Sequence, residues 1–141
     1  MNVITKAVVD KWAATDELND LLSSEYVVNG LYTNSEEKYP FATLTLPGGF
    51  FIDRTNCDIE ELYEETVRIA LYSNNETGDY AKISEVAHYI LKTYRKWSAD
   101  LDSDRGKIID CHVNRPQEIQ DENDGFWTLV IDLNLMVSYK F

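Results

Sequence analysis

The stretch from Phe126 to Phe141, "FWTLVIDLNLMVSYKF", decides how the rest of the chain is read. Leu129, Ile131, Leu133, Leu135, Val137, Tyr139 and Phe141 alternate there with Asp132, Asn134, Ser138 and Lys140. A period of two belongs to an extended strand with one buried face, because successive side chains point to opposite sides of the backbone. A slip by one residue would carry Asp132 and Asn134 into the core, so the apolar set permits one register only. A strand of this length requires neighbouring strands on its edges and a layer to cover its apolar face.

Working outward, "TVRIALYSN" (Thr66–Asn74) sets Val67, Ile69 and Leu71 against Arg68, Ala70 and Tyr72 and predicts a second strand. The segment before it, residues 59–66, is open between helix and strand, since Leu62, Tyr63, Thr66, Val67, Ala70 and Leu71 would also share a helix face. Further strands are predicted near residues 26–33, 40–46 and 107–113, and Pro47-Gly48-Gly49 reads as a hairpin turn closing one of them. "NRPQEIQDENDG" reads as an exposed connection ending in an Asp-Gly turn.

Two helices supply the cover. Ile4, Val8, Trp12, Leu18, Leu21 and Leu22 recur at helical spacing over about 3–23. Ile83, Val86, Ala87, Ile90, Leu91, Tyr94 and Trp97 form the clearer stripe, over about 79–97, with Thr77 or Asp79 opening it. The expectation is an α+β domain spanning 1–141, a mostly antiparallel sheet covered by two main helices.

The 141 residues carry 25 acidic against 13 basic side chains, a formal charge of −12. Such a surface repels phosphates, and Arg95-Lys96 is the one local basic pair, which argues against sequence-specific nucleic-acid binding. No run approaches the ~18 apolar residues of a spanning helix, and nothing reads as a signal peptide, so a soluble protein is expected. Cys57 and Cys111 lie far apart and read as reduced thiols.

Asp100, Asp102 and Asp104 stand at alternate positions after a helix, as the ligands of a calcium loop would. Counting from Asp100, the sixth residue is Arg105 rather than glycine, Gly106 comes one place late, and the twelfth is Cys111 rather than glutamate. The loop leads into a strand and not into a second helix, so an acidic loop is expected and no metal site. Cys111 and His112 are adjacent on a strand and point apart, which denies them a nucleophile–base pairing. His88 is expected as a partly buried structural residue beside the helix stripe, and "LPGGF" lacks the lysine and following helix of a phosphate cradle. No catalytic, cofactor-binding or metal-ligating constellation assembles.

The N-terminal helix, "GLYTNSEEKYPFATLTL", the strand "TVRIALYSN", a loop leading into one long helix, and "ENDGFWTLVIDLNLMVSYKF" together resemble the tail terminator (tail-completion) proteins of long-tailed bacteriophages. The resemblance implies a small non-enzymatic α+β protein without a cofactor, placed in the virion at the head–tail junction after assembly in the host cytoplasm. It further implies a homohexameric ring that ends tail-tube polymerisation, with the tail tube protein and the head connector protein as partners. DNA would pass through the lumen without specific binding, and no membrane would be involved. Aromatic side chains at element ends, Tyr26, Trp97, Trp127 and Tyr139 among them, suit subunit contacts. Thr66–Asn74 and the final strand are the expected edges for such contacts, with Arg68, Tyr72, Trp127 and Tyr139 as candidate interface residues. The acidic connection from Glu118 to Asp124 has no counterpart in the resemblance. The alternative is an acidic interaction or inhibitor module that binds a basic partner.

Overall fold

The computed structural model describes residues 2–29, 40–54, 60–74, 80–121 and 126–140. At its centre lie two long antiparallel strands, β3 (Glu60–Asn74) and β7 (Phe126–Lys140), paired without interruption from Glu60↔Lys140 to Asn74↔Phe126. Val67, Ile69, Leu71, Leu129, Ile131, Leu133, Leu135 and Val137 all turn to one face and are buried, the register that the alternation in β7 requires. Residues 60–66, open between helix and strand in the sequence, are strand, because β7 offers a backbone ladder along their whole length.

The other strands are β1 (Val27–Asn29), β2 (Phe41–Arg54), β4 (Ala99–Asp100), β5 (Gly106–Val113) and β6 (Gln117–Asp121). Among the described residues they complete a seven-stranded sheet in the order β1-β2-β3-β7-β5-β4, with β6 continuing along β7 beyond β5. The β1–β2 pair is parallel and the rest are antiparallel. β3 and β7 are therefore central, paired on both sides, and the expectation that they form exposed edges is corrected.

Among the described residues, three α-helices cover the apolar face: α1 (Val3–Ala14), α2 (Asp16–Leu21) and α3 (Tyr80–Tyr94). Their buried residues, from Ile4, Val8 and Trp12 through Leu18 to Ile83, Val86, Ile90 and Tyr94, join the sheet residues in one core cluster. The fold is α+β, as the sequence predicts. Buried polar groups fasten the layers: the Tyr94 hydroxyl donates to the Val8 carbonyl at 2.6 Å and the Trp12 indole N–H to the Leu22 carbonyl at 2.8 Å. The Leu22 carbonyl stands at the end of α2, and the Val8 carbonyl, midway along α1, gives the buried Tyr94 hydroxyl the partner it needs.

Several boundaries differ from expectation for physical reasons. The single helix over 3–23 is broken at Thr15, whose extended backbone ends α1 and whose hydroxyl donates back to the Lys11 carbonyl. Asp16 and Glu17 then open α2 at the end of a helix dipole that favours negative charge. Pro47-Gly48-Gly49 is no hairpin turn. β2 runs straight through it, with a register shift between Thr45 and Gly48 that absorbs an extra residue, the use to which strands put proline and glycine. The "exposed connection" contains β6, which donates a ladder to β7 while keeping Glu118 and Ile119 in solvent. α3 stops at Tyr94, short of Trp97, and Trp97 folds back into the core, edge-on to Tyr94. The expected helix start at Thr77 or Asp79, and residues 30–33 of the first predicted strand, lie outside the described residues.

Candidate functional site

The register shift between Thr45 and Gly48 separates β2 into two halves of different character. Phe41, Ala42, Thr43 and Leu44 are buried, whereas Leu46, Phe50, Phe51 and Ile52 are 36%, 62%, 49% and 40% exposed. Together with Glu60–Thr66 of β3, this half forms an arm. β1 pairs only with Ala42–Leu44, so among the described residues the outer edge of the arm has no partner strand. An open strand edge carrying four large apolar side chains in seven residues is a surface built to be covered. Behind the arm, the Tyr139 hydroxyl donates to Glu65 at 2.9 Å and Tyr63 packs edge-on between Tyr139 and Phe51. Burial and the Glu65 carboxylate push the Tyr139 phenol well above its ordinary value.

Toward the opposite edge of the sheet, α3 and β5 enclose a pocket of ≈ 840 Å3 lined by His88, Leu91, Lys92, Arg95, Lys96, Asp110, Cys111, His112 and Val113. Leu91, Cys111 and Val113 form its apolar floor, and His88, Lys92, Arg95, Lys96 and His112 are exposed around it. Helical spacing explains part of this gathering, since residues four and seven positions beyond His88 return to the same face as it. The rest comes from the helix end. Lys96 adopts φ +57°, and its N–H donates to the Cys111 carbonyl at 3.0 Å, which pins the end of α3 to β5. Glycine usually takes such a position, and a lysine there costs about 1 kcal/mol. A bulge in β5 between Ile108 and Asp110 lets both Ile108 and Cys111 face the core and places His112 outward. Burial, then the neighbouring Asp110, push the Cys111 thiol up to about 12, so it is an inert floor and not a nucleophile.

No family model and no curated protein matches this chain. Solved structures do: a chain in the virion of a native gene transfer agent (GTA) particle matches with a TM-score of 0.67 and 14% identity, over 93% of this chain and 91% of that one. The two share a fold along almost their whole lengths.

The residues singled out from the sequence are not gathered in one place. Arg68 and Tyr72 lie on the sheet face opposite the helices, where Arg68 holds Asp132 through two hydrogen bonds, at 2.9 and 3.2 Å, and Tyr72 stacks on Phe41 at 4.8 Å. Asp132 in turn holds the Arg68 guanidinium above its ordinary value. Tyr139 belongs to the helix side, at the base of the arm, and Trp127 is the strand partner of Ser73 at the other end of β7. His88, expected to be partly buried, is exposed because α3 turns its Val86–Ala87–Ile90 face inward instead.

The acidic loop is engaged in ion pairs: Asp102 with Lys6, and Asp104 with Lys140 at 3.4 Å. Gly106 has its own reason for being glycine. At φ +126° a Cβ would meet the Ser138 carbonyl oxygen at 1.9 Å, so its place is fixed by the close approach of β5 to β7. The pocket was missed in the sequence, although His88, Lys92, Arg95 and Lys96 at positions i, i+4, i+7 and i+8 were a legible signal.

Proposed function

We propose that this chain is a structural virion protein that caps a tail tube as a six-fold ring, ends tube polymerisation and presents the surface that joins the head. The observation that carries this reading is the fold held in common, over nearly the full length of both chains, with a protein of a GTA virion. The exposed arm adds to it, because a closed ring needs two different patches on each subunit and the open edge of β2 supplies one. Arg68, Tyr72, Trp127 and Tyr139 are the proposed contributors to subunit contact elsewhere on the sheet. The role is structural and needs no cofactor. Its partners are further copies of the chain, the tail tube protein and the head connector protein, in the tail at the head–tail junction.

A formal charge of −12 per subunit suits a lumen through which DNA must slide, since phosphates are repelled where a basic lining would hold them. The test is electron microscopy of the protein mixed with its own tail tubes. A six-fold cap at one end of each tube is expected, and tubes left bare at both ends would sink the proposal.

A further inference from the structure

Three of the 13 lysines and arginines, and both histidines, surround one pocket on a chain with 25 acidic residues. Elsewhere Lys6 pairs with Asp10 and Asp102, Arg68 with Asp132 and Lys140 with Asp104, while Lys11, Lys82, Arg105, Lys107 and Arg115 lie outside this pocket. Among the described residues, none of the ion pairs involves Lys92, Arg95 or Lys96. Lys92 instead lies 5.8 Å from the centroid of the Tyr89 ring. Part of this charge answers the carbonyl end of α3, where Lys92 lies in the last turn. The chemistry that fits an apolar floor under a largely cationic rim is an aromatic side chain beside a carboxylate.

The chain carries such a group on its opposite edge. Among the described residues Phe50 is the most exposed large apolar side chain, and it pairs across the strand with Glu64 on the same face. The register places arm and pocket in the same rows of the sheet: Phe50, Glu64, Met136 and Asp110 form one row, and Gly49, Glu65, Leu135 and Cys111 the next. β4 covers β5 only at Lys107 and Ile108, so among the described residues the sheet is open at both ends of these rows. One end is apolar and acidic; the other sets Lys92, Arg95 and Lys96 against a single carboxylate, Asp110, around an apolar floor. Two unlike, complementary patches on opposite edges make a head-to-tail contact, which repeats around an axis where two like patches would stop at a dimer.

We infer that the α3–β5 pocket receives the arm of a second copy of this chain, with Phe50 seated on Leu91 and Val113 and Glu64 facing Lys92 and Arg95. The contact rests on the proposed ring and deepens it by naming the two surfaces that meet, and it can be tested apart from that reading. Benzoylphenylalanine in place of Phe50 would be photolysed in mixtures with an isotope-labelled copy, free at millimolar concentration and on tube ends, and the cross-links mapped by mass spectrometry. Intermolecular links to residues 88–96 or 110–113 are expected. They should fall at least about tenfold in a Lys92→Glu, Arg95→Glu variant and return when the arm carries Glu64→Lys.

Links that map elsewhere on the second copy, the absence of links in both settings, or indifference to charge reversal would overturn the inference. So would a pocket-dependent affinity for duplex DNA without copy-to-copy links, which would assign the rim to phosphate. Mapped links with bare tube ends would remove the tail-cap reading and leave the contact standing. A six-fold cap with position 50 linked elsewhere would do the reverse.

Discussion

Gly106→Ala is the sharpest available perturbation of the framework behind the pocket. The new Cβ would lie 1.9 Å from the Ser138 carbonyl oxygen, 2.9 Å from the Ser138 carbonyl carbon and 3.0 Å from the Tyr139 Cα. All three are backbone atoms of β7, so no side chain can swing aside and β5 itself must retreat by well over an ångström. Holding alanine at φ +126° costs about 1–3 kcal/mol. Overpacking against backbone adds about 1–3 kcal/mol more. The expected loss is about 2–6 kcal/mol, a large share of the roughly 5–15 kcal/mol that holds a domain together. Gly48→Ala is the control. Its φ of +153° is also unusual for alanine, but nothing lies within 4 Å of the added Cβ, so about 1 kcal/mol is expected. Urea denaturation of both variants measures the difference as a shift in midpoint at constant slope. Equal losses at the two glycines would refute the claim that contact with β7, rather than backbone conformation alone, fixes residue 106.

Leu133→Ala should cost about 2–5 kcal/mol, since Leu133 is fully buried and deletion leaves a cavity; an unchanged denaturation midpoint would mean that β7 faces the other way. Stability should decline as pH rises from about 9 toward 12. Burial raises the Cys111 thiol from 9.0 to about 12 and lifts the Tyr94 and Tyr139 phenols in the same direction, so the folded chain keeps protons that the unfolded chain releases. The stabilisation is complete below the unfolded values and lost through the folded ones, and a denaturation midpoint that stays flat across this window would contradict it. Arg68→Ala should cost no more than about 1 kcal/mol, because the Arg68 side chain is 46% exposed and its pair with Asp132 is screened by water; a larger loss in urea denaturation would show that this pair anchors the sheet.

Legibility in the sequence tracked burial. β7 was legible from end to end because one of its faces meets the core and the other does not, and its alternation survives every neighbour. α3 was legible for the same reason. β6 was not: Gln117, Glu118 and Ile119 are exposed, and an edge strand stabilised by its backbone ladder leaves no apolar period. Pro47-Gly48-Gly49 misled because the same residues that make turns also make bulges, and only the partner strand decides between them. The arm shows as "GGFFI", an apolar run whose exposure depends on how far the covering helices reach. The pocket needed the fold, because α3 and β5 meet there only through the β5 bulge and the Lys96 tether to Cys111.

The pairing of β3 with β7 also governs how the molecule is made. The two strands flank most of the intervening sequence, with Glu60 meeting Lys140 and Asn74 meeting Phe126, so the largest ladder in the sheet closes the longest loops. Contacts so distant along the chain slow folding, since loop entropy is lost before the strands reward it. During synthesis β2 and β3 emerge long before β7, and until residue 140 has left the ribosome the inner edge of β3 and the apolar arm are exposed together. Glu60, Glu61, Glu64 and Glu65 crowd the strand that waits longest. Their mutual repulsion between nascent chains acts as a gatekeeper against premature strand pairing.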